Sequence, residues 1–174
     1  MMSVIYVKAE DNGRQIRVGT EIDALPYLTG GHYFSIWSGY HNFRLRGVFT
    51  HFKSPSFIIP DGYEDQKTDA YTLLVDYFTV SDKNEFEKWW IGAGFEYWKN
   101  SVVNSTDNVN GKYENAILTI GGGYVWKIRG NWYLNPWAAG HYALSGAGEE
   151  QIGNDSFKPK RFLYEASLKL GWYF

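Results

Sequence analysis

The chain has 174 residues, a formal net charge of -2 at pH 7 and 44% hydrophobic residues, among them eight Trp, fourteen Tyr and eleven Phe. That length is one domain by the ordinary size prior. No run approaches the ~18 apolar residues of a transmembrane helix, the absence of cysteine removes disulfides and thiolate chemistry, and a near-neutral charge offers no basic field for nucleic acid.

At the start, Met1 to Val4 leads directly into Lys8, Glu10 and Asp11, without the basic and apolar stretches of a secretory leader. The expectation is a mature form in which 1–13 make an N-terminal segment and strands fill about 14–174, a single β-barrel domain. Eight strands can be read, each with two unlike faces, because successive strand residues point to opposite sides. The first, about Arg14 to Leu25, sets Ile16, Val18, Ile22 and Ala24 against Arg17, Glu21 and Asp23. The second, about His32 to Tyr40, sets Phe34, Ile36 and Tyr40 against Tyr33, Ser35 and Trp37. His41-Asn42 makes a two-residue turn into the third, Phe43 to Lys53, where Phe43, Leu45 and Phe49 oppose Arg44 and Arg46. The fourth, Ala70 to Thr79, sets Tyr71, Leu73, Val75 and Tyr77 against Thr72 and Asp76. In the fifth, Trp89, Ile91, Phe95 and Tyr97 face away from Trp90, Glu96 and Trp98. The sixth sets Leu118, Ile120, Trp126 and Ile128 against Asn115, Thr119 and Lys127. A three-residue turn, Arg129-Gly130-Asn131, leads into the seventh, where Trp132, Leu134, Tyr142 and Leu144 oppose Asn135, Trp137, His141 and Ser145. The eighth, Arg161 to Phe174, alternates most cleanly: Phe162, Tyr164, Leu168, Leu170, Trp172 and Phe174 against Glu165, Ser167 and Lys169.

The connections alternate too. The two short turns share one side, whereas Ser54 to Asp69, Val102 to Glu114 and Gly146 to Lys160, rich in Asp, Asn, Gly and Ser, are long loops on the other. About ten residues per strand, rising ~3.3 Å each and tilted by ~40°, span ~25 Å, the height of the apolar band of a membrane barrel. Aromatics gather at the strand ends, as interfacial girdles do.

The closing Leu170, Trp172 and Phe174 pattern resembles the carboxy-terminal signature of bacterial outer-membrane β-barrels. Gly121-Gly122-Gly123-Tyr124-Val125-Trp126-Lys127 is similar to segments of small eight-stranded barrels from Gram-negative bacteria. The resemblance is architectural, from about Arg14 to Phe174. It implies an all-β, eight-stranded antiparallel up-and-down transmembrane barrel, porin-like in build and monomeric, in contact with outer-membrane lipid and lipopolysaccharide. Leu170, Trp172 and Phe174 are then the signal that the barrel-assembly machinery reads. No catalytic role and no cofactor is carried over.

Eight strands leave an interior just wide enough for side chains, so the inward charges Arg17, Arg44, Arg46, Lys127 and Lys169 are expected to pair with Glu21, Asp23, Asp76, Glu96 and Glu165 as a closed plug. The alternatives are a narrow pore for small solutes and a soluble lipocalin-like binder with its faces reversed. Pairing about the His41-Asn42 turn sets His32 opposite His51 at the long-loop rim, where two imidazoles could share a metal, although two interfacial aromatics fit the pattern better. His141, Ser145 and Glu165 can be drawn as the triad of a lipid A-modifying enzyme, but most barrels with polar interiors allow such a drawing.

Overall fold

Hydrocarbon tolerates a sheet only if every backbone group is paired, which requires closure, and a period-two sequence lets the closed sheet face lipid outside and polar groups inside. The structure is a computed structural model that describes residues 15–80 and 86–174. The expected N-terminal segment, Arg14 and the middle of the Val80–Glu87 connection lie outside the described residues. In chain order the elements are β1 (Arg17–Asp23), α1 (Ala24–Leu28), β2 (His32–Tyr40), β3 (Phe43–Lys53), β4 (Tyr63–Phe78), β5 (Lys88–Asn104), β6 (Val109–Arg129), β7 (Trp132–Ala143), β8 (Glu150–Ile152), β9 (Asp155–Phe157) and β10 (Phe162–Tyr173). β1 to β7 and β10 form a closed antiparallel eight-stranded barrel, with β1 completing the ring against β10. β8 and β9 make a separate hairpin in the last long loop.

The predicted faces are the observed ones. Phe34, Ile36, Leu45, Leu73, Ile91, Phe95, Ile120 and Leu168 lie exposed on the outside, while Trp37, Trp90, Trp98, Arg44, Arg46, Asp76 and Lys169 are buried within. The His41-Asn42 turn holds, pairing Tyr40 with Phe43 and His32 with His51.

Three readings change. The first strand ends at Asp23, and Ala24 to Leu28 form α1, because the Asp23 carboxylate accepts from the Leu25 N–H at 3.0 Å as its cap. The predicted register of β6 with β7 holds as far as Lys127 opposite Tyr133, but Arg129 then pairs with Trp132, with the register shifting between Lys127 and Arg129. Ile128 is therefore a bulge, and the turn is the two residues Gly130-Asn131, with Gly130 at φ +59°. Finally, the strands run well into the expected loops: β4 begins at Tyr63, and β5 and β6 stay paired out to Asn104 and Val109. Beyond the apolar band a ladder needs no greasy face, so polar residues on both sides hide it from a pattern search.

Candidate functional site

Two arginines two residues apart on one strand share its inner face, so Arg44 and Arg46 of β3 both point into the barrel. Cross-strand register places Asp76 of β4 opposite Arg44. Glu21 reaches them from β1. Arg44 lies 3.1 Å from Glu21 Oε1 and 2.7 Å from Asp76 Oδ2, and Arg46 lies 3.4 Å from Glu21 Oε2 and 3.0 Å from Asp76 Oδ1. All four side chains are 0–1% exposed. The Tyr133 hydroxyl and the Asn135 amide of β7 also donate to Glu21 Oε1, at 3.1 and 3.0 Å. Trp37 and Trp90 donate in turn to Tyr133 and Asn135. Buried charges are tolerated only when paired, and this two-plus-two set gives each arginine both carboxylates, with Trp90 beneath both guanidinium groups, while Arg44 Nη2 and Arg46 Nε are left without a hydrogen-bond partner.

Toward the short turns lies an apolar layer of Trp37, Phe78, Phe86, Trp90, Val125, Tyr133 and Tyr173. Phe86, from the β4–β5 connection, folds into the barrel mouth, where its carbonyl accepts from the Tyr173 hydroxyl at 2.7 Å. Two inner-face glycines make room: a Cβ on Gly39 would strike the Phe86 ring, and one on Gly171 the Tyr133 ring.

Toward the long loops lies a more polar layer. Asp23 accepts from Trp137 Nε1 at 2.7 Å and from the Ser167 hydroxyl. Lys169 sets its ammonium 3.5 Å from the centre of the Trp137 ring. Glu96 accepts from Trp98 Nε1 and from the Thr119 hydroxyl, and His141 Nδ1 lies 3.3 Å from the same carboxylate. Above this layer a cavity of about 310 Å³ runs between strand residues such as Asp23, Glu96 and His141 and loop residues such as Phe57 and Lys158.

Of the ten charges expected inside, Glu21, Arg44, Arg46 and Asp76 come together as the plug, and Asp23, Glu96, Glu165 and Lys169 belong to the layer above it. Two do not join. Lys127 keeps the inward phase but stands at the short-turn rim, half exposed, with Nζ 3.2 Å from Glu87, because the barrel has already been filled by Phe86 and its neighbours. Arg17 is part-exposed at the same end, opposite Gly39. The drawn triad does not assemble. β7 ends at Ala143, and Ser145 lies exposed beyond it with its hydroxyl on the Ala116 N–H, while Glu165 Oε1 stays 3.9 Å from His141 Nε2.

His32 and His51 do face each other, with ring centres 5.5 Å apart and planes at 22°. Lone pairs lie in the ring planes, so stacked rings send them side by side rather than to one metal. Asp69 adds an unforeseen partner, 2.7 Å from His51 Nδ1. Of the assembly-signal residues, Trp172 packs edge-on against Trp132 at 4.6 Å, and Phe174 is exposed. Sequence reasoning placed Asn135 and Thr119 on the inner face without giving them a role. Phe86 carried no signal, since it sits in a connection.

The sequence family described as outer membrane protein OpcA matches residues 46–152. No curated relative matches the chain. Among solved structures, the N-terminal β-barrel domain of Pseudomonas aeruginosa OprF aligns with 91% of this chain and 96% of its own, at 14% identity and a TM-score of 0.60, a likeness of fold. Acinetobacter baumannii CarO aligns with 91% of this chain and 97% of its own, at 13% identity and a TM-score of 0.49.

Proposed function

The chain belongs to the OpcA family of outer membrane proteins, and on that premise we propose that it is a non-conducting barrel whose role, structural or in surface interaction, is carried by its long-loop side. The observation behind this reading is the buried set Glu21, Arg44, Arg46 and Asp76, which joins β1, β3 and β4 across the interior and ties to β7 through Tyr133 and Asn135. An ion entering there would have to separate charges that have no water to replace their partners. With the apolar layer beneath it, this leaves the short-turn half no path for solutes.

The long-loop side is built as a firm platform. Val102, Tyr113, Ile152 and Phe157 make a small core of their own beyond the main barrel interior. Asn104 donates to the Ile152 carbonyl at 3.0 Å and to Asp155 at 2.9 Å, and Asp107 accepts from the Asn154 N–H, so the β8–β9 hairpin is pinned to the β5–β6 hairpin. Ordered loops present a fixed surface to a partner and lose less entropy on binding than free ones. Planar-bilayer recording of the refolded protein tests the closed interior. No steady conductance is expected from the unaltered protein, and ohmic steps from it would overturn the reading in favour of a narrow pore.

A further inference from the structure

The long-loop cavity ends on groups that are bonded on one side and bare on the other. His141 is 4% exposed, and its Nδ1 faces the Thr119 hydroxyl at 2.9 Å and Glu96 Oε1 at 3.3 Å. Thr119 already donates its own proton to Glu96. The proton of a neutral imidazole therefore belongs on Nδ1, which leaves a lone pair on Nε2. That Nε2 is buried and has no hydrogen-bond partner. Beside it is Glu165 Oε1 at 3.9 Å, too far for a hydrogen bond and itself an acceptor. Both residues line the cavity. Two neighbouring acceptors facing one space call for a donor between them.

The surrounding charge has the matching sign. Asp23, Glu96 and Glu165 all line the cavity, whereas Lys169 beneath it is turned onto the Trp137 ring. A poorly solvated floor on which three carboxylates face the one nearby Lys169 favours a cation there and disfavours an anion. Three lysines, Lys53, Lys158 and Lys160, stand at the opposite, loop end of the lining, where Lys53 lies 3.7 Å from Asp65 and Lys160 3.4 Å from the Ile58 carbonyl. Trp98, Trp137 and Phe52 give the walls aromatic faces that suit both an apolar body and a positive head. We propose that this cavity binds a small organic ammonium compound, its N–H groups shared between Glu165 and His141 Nε2 and its apolar body lying against Trp98 and Trp137.

The site uses only the long-loop half of the barrel, so binding and conductance can fail separately. 2-Phenylethylamine, 2-phenylethanol and 3-phenylpropanoate share a body and differ in the head. Each is titrated against protein refolded in detergent, with protein-free micelles as the blank, and followed by tryptophan fluorescence and calorimetry. The amine is expected to bind at least about tenfold more tightly than the alcohol, and the acid not measurably, since a charge-assisted hydrogen bond is worth that much. Glu165→Gln, shown to be folded by its heat-modifiable gel mobility, should weaken the amine about tenfold and leave the alcohol unchanged. Similar affinity for all three heads, preference for the acid, no binding of the amine, or an unaltered amine affinity in Glu165→Gln each overturns the proposal. If that variant fails to fold, the ranking of heads on the unaltered protein decides alone.

Discussion

Glu21 is the most heavily committed side chain of the barrel, accepting from Arg44, Arg46, Tyr133 and Asn135 while fully buried. Glu21→Gln keeps its shape but leaves two guanidinium groups with one carboxylate, and is expected to cost ~3–5 kcal/mol in urea unfolding from lipid vesicles. Arg46→Met added to it should cost less than the sum of the two single changes, because the second change removes a charge that the first stranded. Independent, additive losses would mean that the four groups do not act as one set. Glycines offer a second contrast. Gly171→Ala must displace the Tyr133 ring and is expected to cost ~1–3 kcal/mol. Gly47, with open space where a Cβ would go, should accept alanine with little change in the same assay. The alternation made Glu21, Arg44, Arg46 and Asp76 legible as inward residues. Which acid each arginine takes was not, since the pairs join residues 23 to 32 positions apart and depend on which rotamers the closed interior admits.

At the scale of the strand, the outward positions are set by lipid. Leu168 of β10 and Ile120 of β6 are 43% and 61% exposed on the outer face. Arginine at either should cost ~2–4 kcal/mol in vesicles, because the charge would sit in hydrocarbon. A much smaller loss would place those positions outside the apolar band. The β8–β9 hairpin answers to different contacts. Phe157 packs edge-on against Tyr63 at 4.8 Å and against Tyr113 at 5.3 Å. Phe157→Ala is expected to expose the 146–160 loop to limited proteolysis while the barrel keeps its heat-modifiable mobility. Loss of both together would show that the loop core and the barrel are one cooperative unit. Neither β8 nor β9 was readable beforehand, because three-residue strands leave too few alternations to count. The β6–β7 turn was misread for a related reason. A bulge at Ile128 and a two-residue turn consume the same residues as a plain three-residue turn.

For the whole molecule, orientation toward lipid is testable in one experiment. Probes at Leu73, Leu134 and Leu168 should be quenched by lipid-phase quenchers, and probes at Thr72, Asn135 and Lys169 should not. The opposite pattern would make this a reversed, lipocalin-like barrel. The sequence by itself determined the strand count of the barrel, the antiparallel order, the pairing of His32 with His51 and the face on which each inward charge lies. All of these follow from a period-two backbone joined by short turns, where a register error of one residue would turn every apolar side chain inward. What only the tertiary structure decided is how the interior divides along its axis. The filling of the short-turn mouth by Phe86 left Lys127 at the rim, and the end of β7 at Ala143 kept Ser145 away from His141. The cavity above the plug opens where Lys169 folds onto Trp137 and Glu165 stands 3.9 Å from His141. Alternation says which side of the sheet a residue faces, but closing the barrel brings side chains from distant strands into one volume, and only their competition for that volume selects the partners each of them finds.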